Sequence, residues 1–497
     1  MKNVLEWLEA TAARYPDRIV YEDMTESISF GELYDEARRI GSALLHKQLS
    51  SKPIAVMMGR SVHTVAAFLG IVCSGRAYAP IDTTQPAARI EKILSLLDPD
   101  AVLSDGSYDL QGIDSGISVL DNNVLRDHEI LEEELSKTRR AALDSDPLYI
   151  IFTSGSSGRP KGVLTSHHSL INYIRAYTEM MEIESEDRLC SQSPLDYIAA
   201  IRDIYVPLLT GAYSFLCPKE YFMQPGPLFS LMNEKRISCI GWSTSALTVL
   251  SKLSAFKEAK PEHLKKVCFS GSVMPSKVIR EWQEALPDTL FVNQYGPTEA
   301  TASCTYYKLD HKIRESEALP VGIPYDNYKV FLLTPDGKPV KESEQGEICI
   351  GGPSLALGYY NDDERTASSF VRNPLNKAYP ELMYRTGDLG SYRDDGLLEF
   401  HGRMDRQIKH MGHRVELDEI EHAALLAGET TEAASLYDAE KETIWLFYSG
   451  GTDIKGLLTE LRKSLPGFMV PRKVKQLEAL PKLPNGKTDM ETLKGYF

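Results

Sequence analysis

The 497-residue sequence contains no long apolar run. Its longest, around Val65 to Cys73, falls far short of the ~20 residues that a membrane-spanning helix requires, so no membrane association is expected. The opening, MKNVLEWLEATAARYPD, lacks the continuous apolar core of a secretory leader. It instead sets Leu5, Leu8 and Ala12 on one face of an amphipathic helix. Cysteine is scarce as well: Cys73, Cys190, Cys217, Cys239, Cys268, Cys304 and Cys349 form an odd set without a CxxC pair. Reduced core thiols in a cytoplasmic protein are the expectation. Positive charge is outweighed, with 55 basic against 70 acidic residues and a net charge of −15. That balance excludes wholesale binding to nucleic acid or anionic lipid. Small molecules remain as partners, or proteins met through a local basic patch.

No internal repeat or long low-complexity segment occurs, and the length suits two or more domains. Short β-branched runs, Pro53-IAVMM, Leu148-YIIF, Lys266-VCFSG and Thr289-LFVNQYG, read as buried strands. Segments with apolar residues every three or four positions flank them. This alternation predicts α/β layers, sheets covered by helices. Near residue 400 the pattern changes. GRMDRQIKHMGHRVELDEIEHAALLAG starts basic, then becomes an amphipathic helix with Leu417, Ile420 and Leu425 on one side. A strand (Thr443-IWLFYSG), a helix from Asp453 to Leu465 and the terminal LPNGKTD follow. The expected division is a large domain over 1–402 and a small α+β domain over 403–497, with the boundary at Arg403–Asp405.

Residues 152–162 read FTSGSSGRPKG. The loop follows an apolar strand and precedes a helix expected to begin near Ser169. Small residues leave backbone N–H groups free to converge on an anion, hydroxyls add donors, and Lys161 supplies positive charge. The Walker pattern GxxxxGK[ST] is absent. A Gly/Ser linker is the alternative, although a linker rarely follows a buried strand directly or carries a Pro-Lys-Gly tail.

Four further strings appear downstream in order: NQYGPTEAT (293–301), YRTGDLG (384–390), GRMDRQIKHMGHRVE (402–416) and LPNGKTD (483–489). With GELYDEARRIGSALL near residue 31 and GRAYAPID at 75–82, they make the chain resemble the adenylate-forming superfamily over essentially its whole length. The wording is most similar to stand-alone amino-acid adenylation domains of nonribosomal peptide synthesis and to D-alanine–carrier protein ligases. The resemblance implies a large domain of β-sheets covered by helices and a small mobile lid. It also implies ATP and Mg²⁺ as cofactors, acyl-AMP formation with loss of pyrophosphate, and transfer of the acyl group to a thiol.

Carried over motif by motif, the resemblance implies that Thr153, Ser154, Gly155, Ser156, Ser157 and Lys161 cradle the β/γ-phosphates. Tyr295 would stack on adenine, Thr298 would contact the α-phosphate and Glu299 would help hold Mg²⁺. Asp388, assisted by Arg403, would accept the ribose hydroxyls. Lys487 would bridge the acyl carboxylate and the α-phosphate. Asp405 matches the hinge, with Lys409 and Gly412 serving thiolation. Arg406 to Arg414, with Lys409, His410 and His413, is the most basic local stretch and a candidate surface for an acidic carrier or a CoA phosphate. His167 stands at the family's histidine position, which a packed, hydrogen-bonded histidine explains equally well. Bland readings of single residues, such as a turn former at Asp388, a cap at Glu299 or a solvated tail at Lys487, give way before the ordered set.

Amino-acid activators normally carry Phe-Asp at the pocket entrance, the aspartate pairing with the substrate's ammonium. Here the segment reads SPLDYIAAIRDIYVPLLTG (193–211). Ungapped counting puts Ile198 at that position; a two-residue shift puts Asp196 there. A displaced Asp196 would suit a β-amino acid, and an irrelevant one an acid without an amine, such as an aryl acid. Arg202, four residues after Ile198, is expected either to bind a second carboxylate or to be a salt-bridged or snorkelling surface residue. Gly241, Cys268, Ser270, Gln294, Ala302 and Ser303 complete the expected pocket. The function expected is activation of an amino acid or related acid and loading of a carrier's phosphopantetheine in trans by a monomeric enzyme, since the chain ends soon after LPNGK. An acyl- or aryl-CoA ligase and a non-catalytic ligand-binding protein are the alternatives.

Overall fold

The computed structural model describes residues 1–47, 49–108, 116–155, 159–257, 259–315, 317–341, 344–483 and 487–497. Ser156 and Ser157, expected in the phosphate loop, lie outside the described residues. The chain forms two compact units, one of Met1–Asp82, Leu97–Ile151 and Val163–Gly402, the other of Thr83–Leu96, Phe152–Gly162 and Arg403–Phe497. Among the described residues no helix is long and apolar enough to cross a membrane.

In the first unit, apolar runs become strands buried along their whole length. Ile54–Met57 is one, joining a seven-stranded sheet with Tyr78–Pro80, Ala101–Ser104 and Pro147–Thr153. Strands covered on both faces have no polar side to show, which is why they read as continuous hydrophobic stretches. A nine-stranded sheet places Arg188–Ser191, Cys239–Ser243, Lys266–Ser270 and Leu290–Tyr295 side by side in parallel, with Thr305–Lys308 antiparallel beyond. Its register sets Gly241 opposite Cys268 and Cys268 opposite Val292. Because side chains alternate along a strand, Ser270 and Gln294 share that face. A third sheet is built from Lys329–Leu333, Gly346–Gly351, Leu382–Tyr392, Phe370–Arg372 and Leu398–Arg403.

Helices begin where the sequence supplies caps. The helix Phe30–His46 opens on a reciprocal Ser29–Glu32 capping box. The helix after the glycine-rich loop spans His167–Met180, two residues earlier than expected, because Ser166 takes the capping position and accepts from the Ser169 N–H. It packs against Ala200–Thr210. Leu5, Leu8 and Ala12 are buried on the first helix, Leu5–Arg14, as the spacing predicts.

The second unit has a two-stranded hairpin, Gln407–His410 with His413–Glu416, and a three-stranded sheet of Thr430–Asp438, Thr443–Gly450 and Lys473–Gln476. The hairpin turns through Met411 and Gly412, both at positive φ. Helices Leu417–Leu425 and Ile454–Ser464 pack on a core of Val415, Leu417, Ile420, Ala424, Leu446 and Leu457. One expectation fails here, since Leu425 is 43% exposed. Ala424, seven residues or two turns after Leu417, holds the inward position, and Leu425 is rotated off that stripe.

Candidate active site

In the first unit, two of the sequence motifs meet. The strand Leu290–Tyr295 ends at Tyr295, whose hydroxyl donates to Asp388 Oδ2 at 2.5 Å. Burial first, then the Asp388 charge, pushes the Tyr295 phenol well above its ordinary pKa, so it stays a proton donor. Asp388 is itself buried, and Thr386 accepts from its backbone N–H while donating to the Ile348 carbonyl.

Beyond Tyr295 the chain reverses sharply. A Cβ on Gly296 would stand 2.5 Å from Ser303 Cα and 2.8 Å from Cys304 N, a separation only glycine permits. Thr298, Glu299 and Ala300 form a short 3₁₀ turn, followed by Thr301 and Ala302 at positive φ, a backbone state unusual for non-glycine residues. Glu299 is fully buried, and its Oε1 accepts from the Tyr359 hydroxyl at 2.8 Å.

The expected pocket residues gather around Arg202. This side chain, 2% exposed, donates from Nη1 to Gln294 Oε1 (3.0 Å) and Cys268 Sγ (3.3 Å), and from Nη2 to Ser270 Oγ (3.1 Å). Its guanidinium carbon lies 5.5 Å from the Tyr177 ring centre. Gly241 permits this closeness, since a Cβ there would be 3.0 Å from the Tyr177 hydroxyl and 3.6 Å from Arg202 Nη1. The surface alternatives for Arg202 therefore do not hold: it is buried, and it makes no ion pair with Asp196 or Asp203 among the described contacts. Ser303 reaches Gln294 Oε1 at 3.4 Å, and Gln294 donates to Tyr325.

Ile198 is buried in the turn before the helix. Asp196 is placed elsewhere, with Asp82 and Lys219 among its neighbours. Burial first, then Asp82, pushes its carboxyl up to about 6. Burial likewise pushes Asp203 up to about 7 against the pull of Arg202, Ser191 and Arg60. Sequence reasoning missed Tyr177, Tyr325 and Tyr359. The i, i+4 spacing of Tyr173 and Tyr177 in HHSLINYIRAYTEM was the available signal for the first.

In the second unit, Thr153 is buried and its hydroxyl has no partner among the described residues. Ser154 Oγ donates to the Arg414 carbonyl at 2.7 Å, and Lys161 is buried. A buried hydroxyl without a partner among the described residues, on the same loop as a buried lysine, fits an incoming phosphate oxygen. For Mg²⁺ the fit is partial by design: no cluster of three or more His, Cys, Asp or Glu exists among the described residues, so Glu299 would rely on phosphate oxygens to complete a shell.

Arg403 clamps Asp405 with two 2.6 Å hydrogen bonds, Nε to Oδ1 and Nη2 to Oδ2. Burial raises the Asp405 pKa, and Arg403, with the Gln407 N–H and Arg414, more than offsets it, leaving a net lowering. The expected basic stretch is largely spoken for. Arg406 is held by Asp418 and Glu421. His413 stacks on Phe468 at 3.9 Å, and His410 is buried with its pKa lowered. Lys409 is exposed, Gly412 buried. Lys487 is exposed, its carbonyl accepting from the Leu483 N–H.

A family model described as AMP-binding enzyme matches residues 8–360. The chain belongs to this family. Among its AMP-binding relatives, D-alanine--D-alanyl carrier protein ligase of Bacillus cytotoxicus is 30% identical over 99% of this chain and 98% of its own length. Tyrocidine synthase 1 of Brevibacillus parabrevis is 29% identical over 99% of this chain, which spans 45% of that longer protein. Gramicidin S synthase 2 of Brevibacillus brevis is 30% identical, and the chain spans 11% of it. Among solved structures, a holo NRPS protein containing adenylation and PCP domains superposes with a TM-score of 0.83 at 25% identity, over all of this chain and 84% of that one. A Vibrio cholerae adenylation domain shares the fold at a TM-score of 0.84 and 20% identity, covering all of this chain and 98% of that one. The architecture is thus the adenylate-forming α/β fold.

Proposed function

We propose that this AMP-binding family member couples the carboxylate of an amino acid or related acid to ATP and loads the product onto a carrier protein. The acid oxygen attacks the α-phosphate, pyrophosphate leaves with the electrons of the broken P–O bond, and an acyl-AMP remains. A phosphopantetheine thiol of a carrier acting in trans then displaces AMP, losing its proton and forming a thioester. The observation that carries the reading is the Tyr295–Asp388 hydrogen bond. It unites two motifs 93 residues apart, the groups proposed for adenine and ribose.

In this reading Thr153, Ser154, Gly155, Ser156, Ser157 and Lys161 hold the outer phosphates, and Thr298 the α-phosphate. Mg²⁺, when bound, would neutralise phosphate charge, with Glu299 as its protein ligand. Lys487 offsets the charge that builds between carboxylate and phosphate. Residues 1–402 and 403–497 would act as core and lid, with Asp405 as hinge and the Lys409–Gly412 turn serving thiolation. The enzyme is proposed to work as a cytoplasmic monomer.

The test is acid-dependent ATP–pyrophosphate exchange, followed by transfer of labelled acid to holo-carrier or to free CoA. Exchange with subsequent carrier loading is expected. No acid-stimulated exchange would overturn adenylation, and transfer to CoA with none to carriers would make the protein a CoA ligase.

A further inference from the structure

Among the described residues, two arginines keep less than a tenth of their surface exposed, Arg89 and Arg202. Arg89 has the Glu419 carboxylate at 2.7 Å. Among the described residues Arg202 has no carboxylate within ion-pair distance, and its Nε has no hydrogen-bond partner. Its contacts are all to neutral groups: an amide oxygen, a thiol and a hydroxyl. Asp203, next in the chain, has Ser191 as a hydrogen-bond partner; its carboxyl feels the guanidinium's charge without coming within ion-pair distance, and burial still pushes it up to about 7, so it balances that charge only in part. A guanidinium keeps its proton, and a buried charge with no carboxylate in hydrogen-bond reach is costly. An anion that arrives with the ligand removes this cost.

We infer that Arg202 is the specificity residue for a second carboxylate on the acid substrate. This inference rests on the adenylation reading. Two features favour a carboxylate. The Nε–Nη2 edge presents two parallel donors, a geometry that matches the two oxygens of a planar carboxylate. Nη2 is engaged only by Ser270, the last residue of its strand and partly exposed, whose hydroxyl can turn to donate to an incoming oxygen. The reacting carboxylate belongs with Tyr295 and Thr298, at and beyond the end of the strand Leu290–Tyr295. Side chains alternate along a strand, so Gln294, which holds Arg202, faces the side opposite to Tyr295, and the anion Arg202 takes is a different one. The substrate class is therefore an acidic amino acid or a dicarboxylic acid.

The experiment is ATP–pyrophosphate exchange with aspartate, glutamate, succinate and glutarate against asparagine, glutamine, their monoamide counterparts and alanine. At least one dicarboxylate should exceed its amide by roughly 100-fold or more in kcat/KM, because a charged partner site rejects a neutral isostere strongly. Arg202→Met should shrink that ratio to about tenfold or less with the KM for ATP unchanged, and Arg202→Lys should restore part of it. The wild-type comparison needs no variant, so a poorly folding Arg202→Met leaves the test intact. Exchange that favours a monocarboxylic acid or an amide overturns the inference and leaves adenylation standing. Exchange with none of the acids counts against both.

Discussion

His167 offers a quantitative test of the first unit's packing. It is buried at the start of the helix His167–Met180, and the Val4 N–H donates to its Nδ1 at 3.4 Å. Burial, helped by Arg139, pushes its pKa down to about 4. In the unfolded chain a histidine titrates near 6.5. The folded state thus binds fewer protons between those values, so the stabilising contribution is complete above pH 6.5 and is lost as pH falls toward 4. Integrating between pH 7 and pH 5 gives a loss of about 2 kcal/mol. The cause is local, because an imidazolium must donate from Nδ1 and would confront the Val4 N–H that precedes the helix Leu5–Arg14. The melting temperature of the wild type should therefore drop by several degrees more than that of His167→Gln over this interval. Carbon-detected titration of the ring should show it neutral at pH 5. Parallel pH dependence in the two proteins, or a ring titrating near 6.5, would refute the reasoning.

Lys487→Ala should nearly abolish acid-dependent exchange while ATP affinity, read by calorimetry, changes only modestly; normal exchange would remove the lysine from the chemistry. Gly296→Ala forces a Cβ to within 2.5 Å of Ser303 Cα, and should cost about 1–3 kcal/mol, visible as a lower melting temperature and a raised KM for ATP. Glu299→Gln keeps an oxygen for the Tyr359 hydroxyl, so the melt should hold. Exchange should fall tenfold or more and need a higher Mg²⁺ concentration; an unchanged Mg²⁺ dependence would exclude Glu299 as a ligand.

Much of this was legible in the sequence because local rules agree with the fold. Buried parallel strands announce themselves as β-branched runs, and the helix expected from Asp453 to Leu465 spans Ile454–Ser464, with Asp453 as its cap. Long-range order was not legible. Nothing in residues 19–29 says that Ile19–Glu22 adds to the nine-stranded sheet beside Tyr213–Leu216, since pairing over such separations leaves no local trace. At the site, the motifs named Tyr295 and Asp388 separately, and only tertiary structure joins them. Arg202 stood undecided between pocket and surface because a helical period sets a direction and not what lies there. How much charge the basic stretch 406–414 leaves unpaired was not legible for a similar reason, because the carboxylates that neutralise Arg406 stand 12 and 15 residues away.

The distribution of sulfur has a chemical consequence. All seven cysteines are free and buried. Burial pushes the thiols of Cys73 and Cys349 up to about 12 and raises those of Cys239, Cys268 and Cys304. A mixed anhydride acylates any thiolate within reach. An enzyme that generates one beside its own reactive sulfur would trap itself after a single turnover. Here the protein's own sulfurs are all enclosed, so that the nucleophile competing for the activated acid is the one a visiting partner brings.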